Sequence, residues 1–566
     1  MKLELAHGGD ELEFFDVEAY EIDSTPRWRS VALWWVLCGS CQTLTDLNDY
    51  LGPSQVCIKP VDAPAMPVND AQTSISVEDG VYVETSTGSS RARTTLETAQ
   101  ISLNDCLACS GCVTSAETVL IGMQSAEEVR QELQRKGDRV FIATISAQSV
   151  ASLQTRLGRP YAVLWPQICL ILRRMGFDLV LDTSLARHIA LRAHVREFRE
   201  RKRAKMEGVQ GKPTLPMLAS ACPGWVCYAE KAHSDLLPFV AATKSPQQIS
   251  GLLAKRVYGP EHAGASVTGS LPAPLASIYH VSVMPCYDKK LEASRSDFTS
   301  SDGVKEVDCV LTTGELHDLL VEHDFETYTP TEQELAVPRP RPEPGSSSGG
   351  YLFAILMDVY RTWMNDHPSS TPAIEQRTIR SSDYTEYLLR AETGEVLFKG
   401  AVCYGFRNLQ NLVRKLQRET GMKSTRMGRG LSRRGMDEPP YEYIEVMACP
   451  GGCVNGGGQM RPDPEWKAAQ EAEQAQAMQE GAPVQGWQGT DRRWVQLVEH
   501  AYWDGSALSD NVLGTVKEAL SPSALRTWLE TLDKSAAAME HSFSESDFRT
   551  QYHGVEAQTN GLAVQW

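Results

Sequence analysis

The chain has 566 residues, room for two or three domains, and its 42% hydrophobic and 22% charged residues are ordinary for a soluble globular protein. A net charge of −17 disfavours a broad nucleic-acid-binding face, and 14 cysteines in this length are too sparse for a disulfide scaffold, so a reducing compartment is expected. The strongly apolar N-terminal run, Val31 to Leu37, is far shorter than the roughly 20 residues a membrane span needs, and the residues ahead of it are acidic, unlike a signal peptide. The expected partners include neither nucleic acid nor membrane, and the expected location is the cytosol or the nucleus.

Residues 1–43 match no interpretable pattern, and their Cys38-Gly39-Ser40-Cys41 pair stands alone. Residues 44–138 read as an N-terminal iron-sulfur segment. Cys57 stands in Val56-Cys57-Ile58-Lys59-Pro60, and a Ser/Thr-rich stretch from Asp70 to Thr98 reads as a solvent loop. Next, Cys106-Leu107-Ala108-Cys109-Ser110-Gly111-Cys112 spaces three thiols so that one tight turn can wrap three corners of a cubane. Zinc sites usually use paired C-x2-C knuckles, whereas three thiols in succession are typical of ferredoxins. The fourth ligand must come from elsewhere; Cys57 is the nearest upstream candidate, with Cys38 and Cys41 as alternatives.

From Arg139, strand-like runs alternate with helical patterns at Val140 to Ile145, Leu179 to Asp182, Val281 to Pro285, Val307 to Thr312 and Tyr443 to Ala448. That alternation predicts α/β layers over 139–460. The basic run from Arg196 to Lys205, the segment from Pro338 to Gly350 and residues 461–490 read as surface insertions, and 491–566 as a helical region with a tail.

Three widely separated segments share one grammar of apolar strand, cysteine with proline, then glycine or helix. They are Ala221-Cys222-Pro223-Gly224-Trp225, Val283-Met284-Pro285-Cys286, and Met447-Ala448-Cys449-Pro450-Gly451-Gly452-Cys453 followed by Val454-Asn455-Gly456-Gly457-Gly458. Loops at the carboxyl ends of sheet strands converge on one site, so Cys222, Cys286, Cys449 and Cys453 are the candidate ligands of a second, buried cluster. Pro223 suits a first helical turn whose amides face an anionic cluster. Cys169, Cys227, Cys309 and Cys403 lack this context and are expected in the core.

With these motifs in view, the chain resembles the iron-only hydrogenases, and more closely the Nar family of nuclear prelamin A recognition factor-like proteins, which are cytosolic iron-sulfur assembly factors. The resemblance runs from about Leu44 to Gly458 and includes Lys244-Ser245-Pro246-Gln247-Gln248, Gly176-Phe177-Asp178 and Thr312-Thr313-Gly314-Glu315-Leu316. It implies an iron-only hydrogenase-like large-subunit α/β fold with an N-terminal ferredoxin-like segment. It also implies two 4Fe-4S clusters, one on Cys57, Cys106, Cys109 and Cys112, the other on Cys222, Cys286, Cys449 and Cys453.

Hydrogenases carry two adjacent cysteines before Pro-Gly-Trp, the first relaying protons to a diiron subsite; here Ala221 stands there. Where those enzymes carry a glutamate-rich helix after Asp-Thr, this chain reads Arg192-Ala193-His194-Val195-Arg196. Lys289 and Glu292 do match the hydrogenase pattern, and read as a structural ion pair. Similar terminal aromatics in the assembly-factor family are read by the cytosolic targeting complex, so Trp566 is a candidate docking handle, with Gln565 in place of the usual acid.

The reading that follows is a non-catalytic component of the cytosolic iron-sulfur assembly machinery, linking early scaffold proteins to the late targeting complex. The alternatives are an iron hydrogenase with a diiron site, and a nuclear interaction protein using metal only to fold.

Overall fold

The computed structural model describes residues 73–78, 81–86, 93–95, 123–209, 215–263, 277–300, 302–323, 325, 345–379, 381–419, 439–466, 468, 492–503 and 543–554. The stretch from Asp70 to Thr98 contains strands rather than only loop. β1 (Thr73–Glu78), β2 (Val81–Ser86) and β3 (Arg93–Thr95) form an antiparallel sheet in that order. Its Ser and Thr content hid a hairpin signal: Glu78 pairs with Val81 across the dipeptide Asp79-Gly80, between runs in which β-branched residues alternate.

Among the described residues nine further strands follow: β4 (Val140–Ile145), β5 (Leu179–Asp182), β6 (Met217–Leu218), β7 (Ile278–Met284), β8 (Cys309–Thr312), β9 (Ala373–Thr378), β10 (Tyr384–Arg390), β11 (Val396–Tyr404) and β12 (Tyr443–Met447). One sheet, β5-β4-β7-β8, is parallel throughout. β4, β7 and β8 are buried along their whole lengths, as a parallel sheet covered on both faces requires. The expected strands were β4, β5, β7, β8 and β12, with β7 beginning three residues earlier and β8 two later than their patterns suggested.

The second sheet, β6-β12-β11-β10-β9, is mixed: β6, β12 and β11 run parallel, and β10 and β9 add an antiparallel meander. Its core gathers Phe398, Tyr443 and Leu389 with Phe198 from the helix Ser184–Met206 and Tyr351 from the helix Tyr351–Asp366. The basic run from Arg196 to Lys205 is therefore no insertion. It is the second half of the 23-residue helix Ser184–Met206, whose Glu197, Phe198, Arg201 and Ala204 are buried. Arg199 pairs with Asp358 and Lys202 with Glu442, so this half of the helix is tied down by its own charges.

Helix Ala126–Gln134 abuts β8, with Gln124 just before it donating to the Lys290 carbonyl and accepting from Val310 N–H. Helix Arg492–Trp503 packs Trp494 and Val498 on Ala151 and Val454. A strap over 543–554 returns to the middle of the chain, where Thr550 N–H donates to Ala242 O (2.7 Å) and Lys244 N–H to Phe548 O (2.8 Å).

Candidate metal centre

Four described cysteines leave the carboxyl ends of three strands. Cys222 follows β6 and forms the N-cap of the helix Pro223–Ala232. Cys286 lies two residues past β7, just before the helix Asp288–Ala293. Cys449 and Cys453 lie two and six residues past β12. The structure brings all four together. Each thiol opposes its neighbours' ionisation: Cys449, Cys222 and Cys453 act on Cys286, and Cys222 and Cys453 on Cys449. Ala448 N–H points to Cys222 Sγ at 3.4 Å.

Burial pushes the Cys222 thiol up to about 12, and burial with mutual repulsion holds Cys286 and Cys449 well above the usual thiol range. Cys222 is buried and Cys286, Cys449 and Cys453 are partly buried, and four converging thiols are the donor set of iron-sulfur groups. Among the described residues, no three His, Cys, Asp or Glu side chains are spaced to ligate a single ion.

The glycines beside Cys453 close this site. A Cβ on Gly456 would lie 2.2 Å from the Pro285 carbonyl oxygen, so only glycine lets the β12 loop press against the end of β7. Gly458 N–H donates to that carbonyl at 2.9 Å. Gly452 has φ +81°, and its Cβ would meet Ser348 Oγ at 2.2 Å.

Lys289 and Glu292 form a buried ion pair, and Lys289 Nζ also donates to the Ala221 carbonyl at 3.1 Å while Ser245 Oγ donates to Glu292. The ammonium charge acts on Cys286 and Cys453, so the pair is part of the centre's wall. On the helix Ser184–Met206, His194 is buried, facing the Tyr351 ring at 4.7 Å. Burial lowers its pKa to about 4.

One residue past the 192–196 segment sits a carboxylate the sequence reading passed over, Glu197. It accepts from Ala242 N–H and Thr243 Oγ1 and pairs with Arg201 Nη2 at 2.6 Å. Burial works against its charge, yet Arg201 prevails and its pKa is lowered. The helix therefore keeps one buried acid, clamped by a guanidinium.

Ser348 and Glu445 were also not anticipated. Cys453 N–H donates to Ser348 Oγ at 3.0 Å, while Glu445 accepts from Ser346 Oγ, Tyr404 OH and Leu352 N–H. Isolated polar residues of this kind carry no local pattern that would announce them.

Cys169, Cys309 and Cys403 are buried in the cores, as expected, whereas Cys227, on the helix Pro223–Ala232, is only partly buried, its thiol pushed up by burial to about 12. Cys57, Cys106, Cys109 and Cys112, the Cys38/Cys41 pair and Trp566 lie outside the described residues.

The family "Iron only hydrogenase large subunit, C-terminal domain" matches residues 139–457. A "Cytosolic Fe-S cluster assembly factor NAR1" of Mycosarcoma maydis is 39% identical, over 82% of this chain and 83% of that protein. The mouse "Cytosolic iron-sulfur assembly component 3" is 37% identical, over 92% of this chain and 98% of its own. Among solved structures, an FeFe-hydrogenase studied for oxygen inactivation superposes with TM-score 0.52 at 22% identity, covering 76% of this chain and 99% of that one. An apo FeFe-hydrogenase from Chlamydomonas reinhardtii gives TM-score 0.51 at 21% identity, over 75% and 98%.

Proposed function

The chain belongs to the family of the cytosolic Fe-S cluster assembly factor NAR1 and cytosolic iron-sulfur assembly component 3, and from that premise we propose that it carries two 4Fe-4S clusters as a non-catalytic assembly factor. The observation that carries this reading is the convergence of Cys222, Cys286, Cys449 and Cys453 beside an alanine, Ala221, that has no proton to pass on. Cys57, Cys106, Cys109 and Cys112 hold the other cluster in this reading. The protein links early scaffold proteins to the late targeting complex, docking through Trp566, and serves the maturation of cytosolic and nuclear iron-sulfur proteins. Among the described residues no helix is long and apolar enough to cross a membrane.

The test is Mössbauer spectroscopy of iron-57-labelled protein isolated without oxygen. Two cubanes and no diiron component are expected. Depletion in cells should lower cluster content in cytosolic clients while sparing mitochondrial ones, and intact clients would refute the assembly role. Removing Trp566 should weaken retention of the targeting complex in a pull-down without loss of iron.

The second reading, an iron-only hydrogenase, is favoured by Lys289 and Glu292, which match the hydrogenase pattern and pair beside the thiols. Protein matured with the diiron cofactor would then reduce dye with hydrogen; silence in that assay removes it.

A further inference from the structure

Three successive serines, Ser346, Ser347 and Ser348, approach the centre from a loop that no cysteine motif marks. Ser347 and Ser348 are 3% and 5% exposed, so their hydroxyls must find protein partners. Ser346 Oγ donates to Glu445 Oε1 at 2.7 Å, and Ser347 offers its carbonyl to Gln148 Nε2 at 2.6 Å. Ser348 Oγ accepts from Cys453 N–H, which leaves its own proton to be donated.

Two acceptors stand beside it: the phenol of Tyr404, whose ring flanks the same Gly452 backbone as Ser348 Oγ, and the sulfur of Cys453, whose amide it already holds. Tyr404 spends its proton on Glu445 Oε1, at 2.6 Å, and offers a neutral oxygen. A metal-bound Cys453 offers an anionic sulfur, and a charged acceptor makes the stronger bond. The loop is shaped for that approach, since any side chain at Gly452 would collide with Ser348 Oγ.

We propose that Ser348 is a positioning residue of the buried cluster: its hydroxyl donates to the Cys453 sulfur while taking the Cys453 amide proton, and so sets the reduction potential of that cluster. This rests on the reading of Cys453 as a ligand. A hydrogen bond to a ligating sulfur stabilises the more negative, reduced state and raises the potential. Glu445, 1% exposed on β12, holds Ser346 and Tyr404 so that the loop cannot turn away.

The experiment is a dithionite titration of the full chain with both clusters, followed by electron paramagnetic resonance. Ser348→Ala should keep the iron of both clusters and move one of the two midpoint potentials to a more negative value, leaving the other in place. Ser348→Thr, which keeps the hydroxyl, should restore the wild-type value, and Ser347→Ala should leave both unchanged. Two unshifted potentials in Ser348→Ala with iron intact, or an equal shift in the Thr variant, overturn the proposal. If Ser348→Ala sheds iron, Ser348→Thr must retain it at the wild-type potential, and equal loss in both variants overturns it as well. Absence of the second cluster's signal from the wild-type protein would instead overturn the ligand reading, and this inference with it.

Discussion

The two sheets that flank the cysteines do different work. The parallel sheet has three strands buried end to end and delivers one thiol, Cys286, from β7. The mixed sheet delivers the other three from β6 and β12, and ends in a partly exposed edge strand, β9. A parallel sheet must be covered on both faces and so behaves as scaffold, while chemistry gathers where carboxyl ends open into loops. Two sheets contributing unequally to one site make a centre that breaks if either is displaced.

The strongest way to break the comparison is to delete a ligand from the mixed sheet. Cys449→Ala should lose the iron of one cluster and lower the melting temperature substantially, because ligand bonds add directly to folding stability. Cys403→Ala, a fully buried thiol on β11, should cost only on the order of 1 kcal/mol and keep all iron. Iron analysis with calorimetry separates the two, and equal iron loss in both would refute the ligand assignment.

Next come the charge clamps. Glu197→Ala strands Arg201, 5% exposed, over the mixed sheet, and should cost about 3–5 kcal/mol in denaturant unfolding. Asp308→Ala beside the parallel sheet removes the partner of Lys255 and of His280 N–H. Its carboxylate is partly solvated, so about 1–3 kcal/mol is expected.

Acid provides a third probe. His280 on β7 is held neutral by burial, reinforced by Lys255, with a pKa near 3; Thr144 Oγ1 meets its Nε2 at 2.9 Å and the Glu306 carbonyl faces its Nδ1. A folded pKa below the unfolded value of about 6.5 means the unfolded chain takes up the proton first. Stability therefore falls as pH drops from about 6.5 towards 3, by roughly 1.4 kcal/mol between pH 7.5 and 5.5. His194, lowered to about 4, adds a similar loss from the mixed-sheet side. His280→Asn should flatten the slope by half, and an unchanged slope would show that His280 is not buried neutral.

The smallest effect is expected far from both carboxyl ends. Arg130→Ala removes partly exposed pairs to Glu127 and Glu322, and thermal unfolding should register no more than about 0.5 kcal/mol.

How much of this was legible depended on range. β4 and β5 were bounded correctly because each opens as a continuous apolar run of the kind parallel strands carry. The β9-β10-β11 meander went unanticipated: β9 carries Glu375, Gln376 and Arg377 at successive positions, and the pairing that makes it a strand lies on β10. The Arg196 to Lys205 stretch looked solvated by composition, yet partners on Asp358 and Glu442 fold it into the core's edge.

The sequence by itself determined which four cysteines come together and the hydrogenase-like class, because a strand ending in cysteine, proline and glycine is a local signature. Turn geometry is encoded within a few neighbouring residues. Only the tertiary structure decided which groups face the sulfurs. Ser348 meets Cys453 across 105 residues of sequence, Lys289 reaches Ala221 across 68, and Glu197 finds Thr243 across 46. A hydrogen bond is a short-range contact between groups that folding alone brings together, so neither its donor nor its acceptor leaves a pattern in the chain.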